Sequence, residues 1–140
     1  MMKMHYSWPV LILMTLVLGL TACEDDSKEA AFTVADLPTE RDAEAGKELF
    51  EKGDGDAPAC KSCHNTGSED GATGPGLGGI GSEAGNRVDG ESAEEYLLNS
   101  IIAPGKHIAE GYRNNMFSKY DDKLSKQQIA DVIAYLLTLN

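Results

Sequence analysis

The clearest periodic pattern of apolar and polar residues lies at the carboxyl end of the chain. Apolar side chains there recur at the i, i+3, i+4, i+7 and i+8 positions, which fall on one face of a helix. They are Ile129, Val132, Ile133, Leu136 and Leu137. Residues 125–128 (SKQQ), just before them, have the capping-box spacing that begins a helix. The pattern predicts an amphipathic helix that buries one face.

Two further segments predict helices. Residues 92–95 (SAEE) form a second capping box, and the helix that follows is expected to reach about Ile102. Residues 42–52 (DAEAGKELFEK) combine good helix formers with acids in the first turn, where the helix dipole favours negative charge. No segment alternates convincingly enough to indicate a strand. We therefore predict an all-α domain over residues 42–140.

A glycine-rich stretch separates the first predicted helix from the second. Residues 65–91 hold nine of the 15 glycines and only Leu77, Ile80 and Val88 as sizeable apolar side chains. A domain of about 100 residues with so much loop has a thin core, and such domains usually need a disulfide, a metal or a cofactor. The pattern indicates that something large and apolar completes the core.

An almost unbroken apolar run lies near the amino terminus. Val10 to Leu20 covers 11 residues, too few for the roughly 20 that a spanning helix needs but typical of an export signal. It ends in residues 20–23 (LTAC), which resemble the bacterial lipoprotein box. The resemblance implies a signal peptide at 1–22 and a lipid anchor on Cys23. An ordinary signal peptide with an unrelated cysteine and an uncleaved anchor are the alternatives.

The next segment, residues 24–41, predicts a flexible acidic tether. It is rich in charge and small residues and has few large apolar side chains. Such a segment reaches roughly 60 Å when fully extended and about 23 Å on average as a coil. The alternative is that part of it packs as an arm around Phe32 and Val34. The predicted organisation is a signal at 1–22, an anchor and tether at 23–41, and a domain at 42–140.

The net charge of the chain limits the classes of function that are possible. The chain has 12 Lys+Arg against 23 Asp+Glu, a formal net charge of −11, which argues against general nucleic-acid binding because that requires a basic surface. Residues 106–126 nevertheless carry five basic and three acidic side chains. We hypothesise that this mildly basic region, with Lys61, meets an acidic patch on a protein partner. Ordinary solvated charges are the alternative.

The candidate chemistry concentrates in residues 60–64 (CKSCH). A thioredoxin-like redox pair would need a β-α-β context, which the flanking pattern lacks. A structural zinc site needs four ligands, and only His107 remains to join the motif once the signal and Cys23 are set aside. The C-x-x-C-H spacing is that of covalent haem attachment, in which Cys60 and Cys63 form thioethers and His64 becomes an axial iron ligand.

The iron also needs a ligand on its other face. Met116 is the one methionine outside the predicted signal and lies 52 residues after His64, just before the last helix. A His/Met pair raises the reduction potential relative to His/His because the thioether favours ferrous iron. We expect Met116 to be this ligand. The alternatives are His107 or an open position.

The ordered motifs resemble the class I c-type cytochromes. The segments that carry the resemblance are 46–50 (GKELF), 60–64 (CKSCH), 73–77 (TGPGL), 111–116 (GYRNNM) and 133–136 (IAYL). Residues 100–139 are especially similar to the cytochrome c domains of subunit II of some terminal oxidases. The resemblance implies a helical, cytochrome c-like domain wrapped around one covalent haem, with long glycine-rich loops.

The resemblance also assigns roles to individual positions. The Pro75 carbonyl would accept the Nδ1 proton of His64 and so fix the ring, and Leu77 would pack on the haem. Gly46 would lie where the first and last helices cross, with Phe50 and Tyr135 alongside.

One position departs from the family pattern. Relatives with this ending usually have proline after the methionine, whereas Phe117 follows Met116 here. Proline would stiffen the loop by fixing φ, so this loop is expected to be looser or to pack through the phenyl ring. Lys106 and His107 are potential replacement ligands if Met116 dissociates.

These inferences predict a membrane-tethered electron carrier with a single haem c, and no catalysed substrate reaction. We expect it to be exported and lipid-anchored, on the outer face of the cytoplasmic membrane or in the periplasm. Its partners would be redox proteins of a respiratory chain: a quinol-oxidising complex, a terminal oxidase or another cytochrome. A fixed haem subunit of such a complex is the first alternative. A haem-based sensor or peroxidase, which needs a vacant iron position, is the second.

Overall fold

The computed structural model describes residues 28–140, so the predicted signal peptide and Cys23 lie outside the described residues. Within this range the chain forms the helices α1 (Ala43–Lys52), α2 (Ile80–Glu83), α3 (Ala93–Ile102), α4 (Tyr120–Lys123) and α5 (Lys126–Leu136), with short 3-10 turns at Val34–Asp36, Cys60–Ser62 and Ala84–Asn86. No strand forms between residues 28 and 140. The prediction of an all-α fold is confirmed. No helix of this range has the length and apolar character needed to cross a membrane.

Side-chain caps begin the three longest helices where the sequence predicts them. The Asp42 carboxylate accepts hydrogen bonds from the backbone N–H groups of Glu44 at 2.9 Å and Ala45 at 3.2 Å. Ser92 and Ser125 each form the predicted capping box with the side chain three residues later. Because each cap satisfies N–H groups that have no partner within the helix, α1, α3 and α5 begin within one residue of the predicted positions.

The first and last long helices cross at Gly46. A Cβ atom at this position would lie 1.9 Å from the carbonyl oxygen of Asp131, so a larger residue cannot sit there without separating the helices. Phe50 packs edge-on against Tyr135, with ring centroids 5.4 Å apart. The buried Asp131 carboxylate accepts the backbone N–H of Asp42 at 2.8 Å and so ties α5 to the start of α1. This crossing agrees with the roles that the family resemblance implies.

The hydrophobic core lies between this crossing and α3. Its largest fully buried side chains are Phe50, Leu98, Ile102, Ile129 and Ile133. They come from only three helices, and the glycine-rich stretch adds the buried Ile80 and Ala84 and the half-buried Leu77. The polypeptide core is therefore thin on the side where residues 60–80 lie.

The described part of the predicted tether packs on the domain, which is the alternative considered for this segment. Residues 28–41, here called the N-terminal arm, lie against the domain: Leu37 is buried, and Phe32 and Val34 are partly buried against the core. The Lys126 ammonium lies over the Phe32 ring, 4.9 Å from its centroid. A few apolar side chains suffice to hold the arm because each has a partner on the domain.

Candidate functional site

The C-x-x-C-H segment forms a single tight turn. Cys60–Ser62 is a 3-10 helix, and the Cys60 carbonyl accepts the backbone N–H groups of Cys63 at 3.1 Å and His64 at 3.0 Å. The Ser62 hydroxyl closes the turn from outside by donating to the Ala59 carbonyl at 2.6 Å. This local geometry brings Cys60, Cys63 and His64 to the wall of one cleft.

The glycine-rich loop fixes the His64 ring. Nδ1 of His64 lies 2.9 Å from the carbonyl oxygen of Pro75, so the ring donates its Nδ1 proton there and leaves Nε2 as the nitrogen with a free lone pair. Gly74 lies directly against the ring: a Cβ atom there would be 2.5 Å from its Cε1 atom. A Cβ atom at Gly71 would be 2.0 Å from the Cys63 carbonyl oxygen. The loop can wrap this closely only because these positions are glycines.

The cleft itself is large and mainly apolar. It encloses about 990 Å³, counting the part open to solvent, at the upper end of the usual range for small-molecule sites. Leu77, Pro75 and Met116 line it together with the C-x-x-C-H side chains. The structure thus brings all the predicted site residues in the domain to one cleft. Further apolar lining comes from Ile80, Leu97, Ile101, Ile108, Val132 and Leu136.

Met116 reaches the cleft from a segment without regular secondary structure, between α3 and α4. The next residue, Phe117, packs edge-on against Tyr120, with ring centroids 5.0 Å apart. The Tyr120 hydroxyl donates to the Pro58 carbonyl at 3.0 Å, two residues before Cys60. Through Tyr120, the Phe117 ring therefore links the segment that carries Met116 to the segment just before Cys60. A proline in place of Phe117 would only have restricted φ.

His107 also borders the cleft but is already engaged. Its Nε2 atom lies 3.1 Å from Oε1 of Glu91, and its ring stacks on Tyr96 with centroids 6.0 Å apart. Lys106 donates to the same Glu91 oxygen at 3.0 Å. Burial raises the pKa of Glu91, but hydrogen bonds from Lys106 and His107 outweigh it, so this pKa lies below its usual value. The cluster gives His107 a structural role in the loop.

The Cys60 thiol lacks the lowered pKa of a redox-active cysteine. Burial raises the pKa of the Cys60 thiol to about 11, so an unattached Cys60 is protonated at neutral pH, whereas redox-active cysteines have lowered pKa values. Among residues 28–140 no group of three or more His, Cys, Asp or Glu side chains is arranged to hold a metal ion. The raised pKa of Cys60 fits an attachment point better than one half of a redox pair.

Several residues of the site are not predicted by the sequence motifs. Tyr96, Ile101 and Ile108 line the cleft, and Tyr120 supports it from behind. Ile101 lies on the apolar face of α3 and could have been proposed from its periodicity. Tyr96 stacks on His107, 11 positions later, and Tyr120 bonds the Pro58 carbonyl, 62 positions earlier; no local signal marks either contact.

The comparison with known families agrees with this geometry. The family described as Cytochrome c matches residues 43–140, which is more than half of the chain. The chain therefore belongs to the cytochrome c family, and it is an electron-transfer haem protein whose cofactor is covalent haem c. No curated protein matches it.

The residues of the cleft fit this cofactor. Two thiols, an imidazole held by its Nδ1 proton and a thioether line a single cleft whose remaining walls are mostly apolar. This is the donor set that attachment and axial ligation of haem c require. When bound, haem supplies one-electron chemistry at the iron. The protein's part is to hold, orient and enclose it.

We predict that Gly74→Ala disturbs the His64 ring. The added methyl group cannot fit 2.5 Å from the imidazole, so either the ring or the loop must shift and the bond to the Pro75 carbonyl should lengthen or break. We expect a lower yield of haem-containing protein and an altered His64 signal in paramagnetic NMR. Gly67→Ala is the matched control, because a Cβ atom there meets nothing within 4 Å. An unchanged His64 signal in Gly74→Ala would contradict the prediction.

Proposed function

We propose that the protein is a membrane-tethered monohaem cytochrome that passes single electrons between respiratory-chain partners. The observation that carries the proposal is the single cleft lined by Cys60, Cys63, His64 and Met116. Cys60 and Cys63 hold the haem as thioethers, and His64 and Met116 are its axial ligands. Pro75 orients His64, and Leu77 packs on the haem.

Two features support Met116 over His107 as the second axial ligand. Met116 is partly buried in the cleft and is held there through Phe117. His107 has its Nε2 atom on Glu91 and its ring on Tyr96, so it would have to leave both to reach the iron. With both iron positions filled, the site passes electrons without binding a substrate, and a sensor or peroxidase role is disfavoured.

The partners are inferred from charge. Lys61, Arg113 and Lys119 are exposed and form no ion pair within residues 28–140. Arg113 lines the cleft and Lys61 lies within the C-x-x-C-H motif. These cations suit a partner with an acidic docking surface. The proposed partners are a quinol-oxidising complex, a terminal oxidase or another cytochrome, in line with the resemblance of residues 100–139 to oxidase-linked domains.

The tether rests on Cys23 and the apolar run before it. We predict that mass spectrometry of the purified full-length protein finds a mature chain that begins at Cys23 and carries the mass of several acyl chains. Two or more chains are needed for stable anchoring. Cys23→Ser should lose this mass, and its haem spectrum should stay unchanged because the residue lies outside the haem domain. An unacylated terminus at another residue in the wild type would refute the anchor.

A fixed haem subunit of a larger complex is the second candidate, and the packed N-terminal arm favours it. The arm contacts the domain through Phe32, Val34 and Leu37, so residues 28–41 do not provide the long free linker that suits a shuttle. Extraction in mild detergent followed by purification on an affinity tag distinguishes a mobile carrier from a fixed subunit. A carrier comes out alone, whereas a subunit brings the same respiratory proteins in fixed ratio.

A further inference from the structure

The first described residue of the N-terminal arm, Lys28, lies beside the segment that follows Met116. The Lys28 ammonium lies 2.6 Å from both carboxylate oxygens of Asp121 and 3.2 Å from the backbone carbonyl oxygen of Ser118. Ser118 is two residues after Met116, and Asp121 lies in the first turn of α4. One lysine thus joins the arm to both ends of the short stretch that follows Met116.

This ion pair differs from an ordinary surface pair. The Asp121 side chain is only 5% exposed, although that of Lys28 is 39% exposed. Within residues 28–140, Lys28 is the one cation at ion-pair distance from Asp121. Loss of Lys28 would remove the partner of a mostly covered carboxylate, which costs more than loss of a fully exposed pair.

The arm presents Lys28 from a fixed position. Phe32, four residues later, is held under the Lys126 ammonium, and Ala30 packs against the core. Further along, Gln127 of α5 donates to the Glu40 carbonyl at 2.9 Å. Because several contacts order the arm, Lys28 loses less conformational entropy when it pairs with Asp121 than a lysine on a free tail would.

We propose that the N-terminal arm is a latch on the axial-ligand segment and that Lys28 is a positioning residue for Met116. Lys28 fixes the Ser118 carbonyl and Asp121, while Phe117, just before Ser118, packs on Tyr120, just before Asp121. Together they restrict the segment as the missing proline would. The inference rests on the proposed role of Met116 as an iron ligand. It implies that displacement of the arm makes Met116 leave the iron more readily.

The test measures how often Met116 leaves the iron. Carbon monoxide binds ferrous haem only after the methionine dissociates, so its binding rate to the full-length protein in detergent reports that opening. We expect Lys28→Ala and Asp121→Asn each to raise this rate about tenfold, equivalent to about 1.4 kcal/mol, and to weaken the sulfur-to-iron absorption band. Lys28→Arg should restore most of the wild-type behaviour, because arginine also pairs with a carboxylate.

Lys123→Ala is the matched control. Lys123 lies on α4, as Asp121 does, and pairs with Asp56 at 3.2 Å. Asp56 is largely exposed, and neither side chain of this pair forms a hydrogen bond with Ser118 or Asp121. Its carbon monoxide rate should equal that of the wild type. A double variant of Lys28 and Asp121 should show much less than the sum of the two single effects.

The outcomes separate the latch from the ligand assignment. If the wild type shows the sulfur-to-iron band and Lys28→Ala and Asp121→Asn bind carbon monoxide at the wild-type rate, the latch is refuted and Met116 remains the ligand. If the wild type lacks the band, both the ligand assignment and the latch fail. A general loss of stability would raise the rate in Lys123→Ala as well, and that result also overturns the latch.

Discussion

Replacement of Met116 by alanine is expected to abolish the sulfur-to-iron absorption band and to open the iron to carbon monoxide. Met116 is the thioether that lines the cleft with His64, and alanine offers no donor atom. Loss of this ligand should also lower the reduction potential, within the roughly 0.8 V span that axial ligation controls, because thioether ligation favours ferrous iron. Optical and magnetic spectroscopy of the purified variant measures all of these effects.

His107→Ala is the control for this experiment. Since His107 is bound to Glu91 and stacked on Tyr96, its removal should leave the sulfur-to-iron band intact. The opposite pattern, with the band lost in His107→Ala and retained in Met116→Ala, is incompatible with the proposed ligation. A spectrum of Met116→Ala that shows a second nitrogen ligand would identify His107 or Lys106 as the replacement.

The second large effect is expected from Gly46→Ala. The added Cβ atom would lie 1.9 Å from a backbone carbonyl oxygen of α5, and backbone cannot move aside as a flexible side chain can. Alanine gains up to about 1 kcal/mol in helix propensity, but separation of α1 from α5 should cost about 3 kcal/mol. Chemical unfolding of the haem-loaded protein, followed by circular dichroism, gives the difference in unfolding free energy.

Gly85→Ala provides the comparison for Gly46→Ala. Gly85 lies in a short 3-10 turn, where a Cβ atom would make an ordinary contact of 3.5 Å with Ala93. Its unfolding free energy should change by less than about 1 kcal/mol. Equal effects of the two substitutions would mean that the close helix crossing does not limit stability.

The sequence predicts those parts of the fold that depend on local chemistry. Ser92 and Ser125 mark helix starts because each forms its hydrogen bonds with a residue only three positions away. The apolar stripe of α5 is local in the same sense. In the site, residues 60–64 fold as one turn, so their spacing alone brings three functional side chains together. The position of Pro75 beside His64, in contrast, was expected only from the family resemblance.

The features that could not be predicted join distant segments. The Phe32 ring packs under the Lys126 ammonium, and Lys28 pairs with Asp121. The partners are more than 90 positions apart in each case. The composition of residues 24–41 is that of a solvated chain, and nothing in it shows which few side chains have partners on the domain. The hydrogen bond between His107 and Glu91, 16 positions earlier, could not be predicted from the sequence either. It depends on how the loop after α3 returns toward the start of that helix.

The packed arm also determines how far the haem cleft could lie from a membrane. Under the proposed anchor, five peptide steps separate Cys23 from Lys28, a contour of about 18 Å at most. Lys28 is bound to Ser118 and Asp121, so the methionine side of the cleft would stay close to the lipid headgroups while the arm remains in place. The protein would then diffuse in two dimensions. Its partners would have to present their redox centres near the membrane plane, and a soluble partner would reach this side only after the latch opens.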